Sequence, residues 1–242
     1  MIVASPSQPS TPTRLPGPTW RDVLAAFVLG MVVPVGALIG GLLLARAFGV
    51  ARQLLPFAVA AAVLVMTVGL YWVVRSRLRW GWRELGFTPA ARSLWHLCWE
   101  LPVMVLGSAL FAATVGPLVG LAPTSDADRA SGSSLNGLGD RPLLLAFTVL
   151  ALVVIGPLVE EVLFRRFLLD AIRARCGTWL AVLGSGVVFA LVHVSPQVIC
   201  YVLPLGFALG LLRVWHQTLW ASLLAHCANN ALVTAITLTL VL

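Results

Sequence analysis

Residues 23–44 and 54–74 contain no charged side chain, and this restricts the fold more than any other feature of the chain. Crossing hydrocarbon about 30 Å thick takes roughly 20 apolar residues at about 1.5 Å of rise each, and both runs reach that length. Residues 101–121 form a third run, and residues 142–159 a fourth that continues into charged positions from Glu160. Three later stretches, 179–192, 198–212 and 218–242, are shorter or interrupted by polar side chains. Lipid offers the backbone no hydrogen-bond partner, and the runs lack the alternation of barrel strands, so each must satisfy itself as a helix. The expected fold class is all-α, a polytopic membrane helical bundle of about seven transmembrane helices.

Composition agrees. Of 242 residues 60% are hydrophobic and 10% charged, where soluble domains carry about 25% charged residues, and mean hydropathy is +0.97. A soluble enzyme is disfavoured. The 16 basic residues are all Arg and give a net charge of +7, but they sit between apolar runs, which reads as membrane topology; no nucleic-acid partner is expected. Arg75, Arg77, Arg79, Arg83 and Arg92 crowd the segment after the second run. The positive-inside rule puts that segment, and with it the amino terminus, in the cytoplasm. The four cysteines have neither CxxC spacing nor the density of a disulfide scaffold, so free thiols are expected.

Four regions follow. Residues 1–20, rich in Pro, Ser and Thr, read as a disordered cytoplasmic tail. Residues 21–121 hold three leading transmembrane helices, residues 122–141 a polar, Gly/Ser-rich outer loop, and residues 142–242 a helical core that carries the chemistry.

Ionisable groups inside hydrocarbon cost several kcal/mol and mark functional sites by default. They concentrate in the last region: Glu160 and Glu161, His193, and His226 with Asn230. Glu161 and Arg165 stand at i, i+4 and share a face, while Glu160 projects about 100° away and is left for another task. Phe189 and His193 have the same spacing, so the ring packs beside the imidazole, and His226 with Asn230 repeats it. A carboxylate, an imidazole and a water make a hydrolytic set, and a His with an Asn on one face can serve a developing oxyanion. Each residue alone also has a bland reading, as a charge pair at a helix end or a helix–helix hydrogen bond. Two further features are assigned to packing and the interface: the Gly206–Gly210 GxxxG pair, and a His96–Glu100 pair beside a belt of Trp80, Trp82, Trp95 and Trp99.

Glu160 to Arg165 reads EExxxR, Phe189 to His193 reads FxxxH, and His226 to Asn230 reads HxxxN. In order and spacing these motifs resemble the CPBP family, the CAAX prenyl endopeptidases of the Rce1 type with their bacterial Abi relatives. The resemblance covers about residues 142–240, and the three leading helices match no motif. It implies an intramembrane endopeptidase in which Glu160 and His193 activate water, His226 and Asn230 stabilise the oxyanion, and Glu161, Arg165 and Phe189 support the site. Arg165 meeting a substrate carboxylate is the alternative for that residue. The family has been described both as metalloproteases and as glutamate-dependent enzymes. A zinc held by Glu160, His193 and His226 and a site with no cofactor therefore both stay open, although HExxH is absent.

The implied partners are a membrane-associated protein or peptide substrate and the lipid bilayer, and the oligomeric state is not given. An Arg-rich, Lys-free chain suggests a bacterial inner membrane. The alternative function is non-enzymatic: an ion or proton relay, or an immunity or scaffold factor using the same residues. One mismatch stands out. From the nearest charged or interfacial residue, Glu160 and His226 lie about 9 and 12 Å deep, but His193 about 21 Å.

Overall fold

A chain that must pair its own backbone in lipid folds as helices, and the computed structural model, which describes residues 17–121, 135, 138–193 and 195–241, has helices joined by turns and irregular segments, with no strand among the described residues. Among the described residues six helices are long and apolar enough to cross a membrane: α1 (Trp20–Ala47), α2 (Phe57–Leu78), α3 (Leu94–Leu118), α4 (Pro142–Cys176), α6 (Pro196–His216) and α7 (Leu219–Leu240). Between α4 and α6 lies a shorter apolar helix, α5 (Thr178–Leu191). The bundle of about seven helices is thus present, with one member too short to span. The expected tail falls outside the described residues up to position 16, as does most of the 122–141 loop. Of that loop, Leu135 and Leu138 are almost wholly buried.

The leading helices share one core with the later ones. Phe27 of α1 meets Phe164 of α4 edge-on at 5.2 Å, and a Cβ at Gly30 would stand 3.4 Å from Leu163. Buried residues of α1, α2, α3, α4, α6 and α7 form a single cluster. At its start, α1 is closed by a capping box between Thr19 and Asp22. Asp22 then pairs with Arg77 at the end of α2 at 3.0 Å.

The Arg-rich segment between α2 and α3 docks on the ends of α4, α6 and α7. Gln217, at φ 55°, turns the chain between α6 and α7. Last-turn carbonyls of a helix have no partner within it, and here the segment supplies one: Ala91 N–H donates to His216 O at 2.9 Å, and Leu219 N–H donates to Gly86 O at 2.9 Å. Arg166 lies over Trp80 at 4.4 Å and donates to Asp170 at 2.9 Å. Trp80 is therefore buried against Phe167 and is no part of an interfacial belt. Trp82, Trp95 and Trp99 are exposed as a belt requires. The expected His96–Glu100 pair is replaced by a longer-range one: Glu100 bonds His216 of α6 at 2.9 Å, because α6 offers a buried partner that spacing within α3 cannot reveal.

These contacts remove the depth mismatch. Arg166 and Asp170 are paired with each other, and α4 runs on past them to Cys176. Glu160 stands 17 residues before the Gly177 corner and His193, in the turn after α5, 16 residues after it, so the two lie at comparable distances from that corner.

Candidate active site

Helix α4 is not a uniform α-helix. It widens to π-helical register at Ala151–Ile155 and again at Val162–Leu169, on either side of the turn that carries Pro157, Glu160 and Glu161. Pro157 lacks an N–H and cannot continue the ladder, and π-bulges of this kind are frequent at functional sites. Gly156 N–H reaches back five residues to Ala151 O. In that register the next carbonyl, Leu152 O, would take its hydrogen from position 157, which is proline. Asn230 supplies it instead, donating from Nδ2 to Leu152 O at 2.9 Å.

The two glutamates flank one imidazole. His226 Nδ1 stands 3.0 Å from Glu161 Oε1, and its Nε2 stands 3.6 Å from Glu160 Oε2. Glu161 is fully buried and paired with the equally buried Arg165, Nε to Oε2 3.4 Å, so it is a carboxylate and His226 Nδ1 is the donor. Nε2 is then the nitrogen turned to Glu160, whose side chain is 26% exposed. The i, i+4 pairing of Glu161 with Arg165 and the separate task of Glu160 both appear as the spacing predicts.

Arg165 is enclosed. Its guanidinium lies 4.5 Å over the Phe189 ring, and Nη2 donates to Gly206 O at 3.4 Å. With no exposure it meets no substrate carboxylate in this arrangement, and its role is internal. Close packing of α5 on α6 makes room for it: a Cβ at Gly206 would stand 3.0 Å from Phe189 and 3.1 Å from Gly186 O. The GxxxG pair thus packs helices, as expected, and also presents a carbonyl to the site.

Phe189 is the hub. Its ring meets Phe164 at 5.0 Å, His193 at 5.0 Å and His226 at 5.6 Å. His193, in the turn after α5, donates from Nδ1 to Phe189 O at 2.8 Å. That bond requires a hydrogen on Nδ1, and in the neutral ring Nε2 is then the acceptor. Among the described residues no hydrogen bond or ion pair joins His193 to Glu160, whose ion-pair partner is His226.

The suggested zinc ligands do not converge. Among the described residues no three His, Cys, Asp or Glu side chains stand close enough to hold a metal ion. Glu160 and Glu161 lie on opposite nitrogens of His226, and the Phe189 ring packs against both His226 and His193. The donor set therefore does not fit a metal in this arrangement. Cys98, Cys176, Cys200 and Cys227 are free thiols.

Residues absent from the three motifs complete the site. Tyr201 of α6 donates to Asn229 Oδ1 at 2.6 Å, and Asn229 Nδ2 donates to Asn230 Oδ1 at 3.2 Å. The available signal was a second amide beside Asn230 within an apolar helix.

Comparison with known proteins agrees with this region. Residues 142–232, which hold all three motifs, match the family model described as Type II CAAX prenyl endopeptidase Rce1-like. The chain is 28% identical over 80 residues to a Bacillus subtilis (strain 168) protein named "Putative membrane peptidase YdiL". The match covers 33% of this chain and 33% of that relative, so it spans about a third of the relative's length. No solved structure matches the chain.

Proposed function

We propose that this chain is an intramembrane endopeptidase that hydrolyses a peptide bond of a membrane-associated protein or peptide. The observation that carries the reading is the Glu161–His226–Glu160 row, one imidazole held by a buried carboxylate on Nδ1 and faced on Nε2 by a partly open one. Such a row orients a base and a proton carrier next to each other, inside a region matched to a protease family.

In the proposed reaction Glu160 takes a proton from water, and the bare Nε2 of His193 orients that water as a second acceptor. The water oxygen bonds to the scissile carbonyl carbon, and the carbonyl π pair moves to oxygen. His226, protonated at Nε2 and steadied by Glu161, stabilises the oxyanion with Asn230, whose amide has one hydrogen committed to Leu152 and a second to give. Glu160 then passes its proton to the leaving nitrogen as the carbon–nitrogen bond breaks. Catalysis by water and glutamate is proposed, with no cofactor used. The placement is a bacterial inner membrane with the amino terminus cytoplasmic, supported by the Arg-rich segment between α2 and α3.

The test is proteolysis of candidate membrane peptides by detergent-purified protein. Wild type cleaves, and Glu160→Ala and His193→Ala do not. Cleavage by the Glu160 variant at the wild-type rate overturns the assignment.

A further inference from the structure

A hydrogen-bond chain crosses the bundle from α6 to α4. It runs from Tyr201 OH to Asn229 Oδ1, from Asn229 Nδ2 to Asn230 Oδ1, and from Asn230 Nδ2 to Leu152 O. Its direction is fixed from the far end. A backbone carbonyl only accepts, so Asn230 must present nitrogen to Leu152 and oxygen to Asn229. Asn229 must then present nitrogen to Asn230 and oxygen to Tyr201, and Tyr201 must donate. If any of these donations is lost, an amide is free to turn over. Asn229 is 3% exposed, where water cannot readily replace a lost partner.

The far end is also the weak point of α4. Gly156 N–H is committed to Ala151 O, and position 157 has no N–H to offer. Leu152 O therefore depends on Asn230 at the place where α4 widens, two turns before Glu160 and Glu161.

We propose that Tyr201 and Asn229 are positioning residues: by fixing the orientation of Asn230 on the carbonyl that Pro157 leaves unpaired, they lock α7 to the bulge of α4 and so hold His226 between Glu160 and Glu161. This rests on the endopeptidase reading for its consequence in catalysis, but not for the coupling itself. The chain also holds Asn230 with its nitrogen toward α4, the orientation in which an amide can serve as an oxyanion donor.

Two readouts separate the claims. The first is backbone hydrogen exchange of the 151–158 segment in purified wild type, Tyr201→Phe, Pro157→Ala and the double variant. Tyr201→Phe removes one hydroxyl and is expected to speed exchange there by about tenfold or more; in the Pro157→Ala background, where an N–H is restored at 157, the same change has little effect. Equal exchange in wild type and Tyr201→Phe, or the same acceleration in both backgrounds, overturns the proposal. The second readout is peptide cleavage by wild type and Tyr201→Phe, with kcat expected to fall and KM unchanged. A fall in KM-dependent binding alone, with kcat unchanged, contradicts a positioning role. Wild type that cleaves nothing while the exchange pattern holds counts against the protease reading only.

Discussion

His226 donates to the fully buried carboxylate of Glu161 over 3.0 Å, and that contact ties α7 to α4. Glu161 is held from its other side by Arg165. The pair is costly to bury and more costly to break, because removing one partner leaves the other charge uncompensated.

Arg165→Met is therefore expected to destabilise the protein by about 3–5 kcal/mol, the range for a broken buried ion pair. Adding Glu161→Gln should recover much of the loss. Thermal unfolding in detergent of the two single variants and the double variant measures both effects. Additive losses contradict a coupled pair.

The α5–α6 contact should tolerate no added atom. A Cβ at Gly186 falls against the Phe207 ring and 3.1 Å from Phe207 N, so the helices must move apart. Gly186→Ala is expected to cost about 1–3 kcal/mol as overpacking and to lower cleavage through displacement of Phe189. Gly184→Ala meets only Ile172 at 3.4 Å and serves as the control, with near wild-type stability.

Outside the membrane spans, the Glu84 carboxylate accepts a hydrogen bond from Gly81 N–H at 2.9 Å. Its own backbone N–H and that of Gly81 hold its carboxyl below the ordinary 4.5. A depressed carboxyl stabilises the folded state above the unfolded value, and that contribution disappears as pH falls through the lower folded value. Wild type should accordingly unfold at a higher temperature than Glu84→Gln at neutral pH. The gap closes as the pH is taken below 4.5. A gap independent of pH contradicts this role.

The proposed chemistry routes no step through a metal. Cleavage by wild type should survive dialysis against a strong chelator with its rate unchanged, measured on the same peptide before and after. Loss that returns with added zinc overturns this part of the proposal and requires Glu160, His193 and His226 to converge in a state other than this one.

Two contacts between residues one turn apart are legible in the sequence. Glu161 with Arg165 and Phe189 with His193 follow from i, i+4 spacing, and the six spans follow from apolar length. Contacts between helices were not. Glu100 looked suited to His96, one turn away, but takes His216 from α6. Two adjacent glutamates point about 100° apart on a helix, yet both meet His226, because an imidazole offers nitrogens on opposite sides. Pro157 signalled a bend in α4, but spacing does not reveal that an amide from α7 would satisfy the carbonyl it frees. Counting Glu160 from Arg166 and His193 from Trp179 sets the two at different depths, because spacing does not reveal that α4 runs on past Arg166, paired with Asp170, to Cys176.

The most direct measurement is hydrolysis of one membrane peptide in water enriched in heavy oxygen, by wild type and Glu160→Gln, with both products weighed. Wild type is expected to place one heavy oxygen in the new carboxylate, and Glu160→Gln, which keeps the shape and loses the base, to slow cleavage by about 10²- to 10⁴-fold. Cleavage at the wild-type rate by Glu160→Gln would contradict the account.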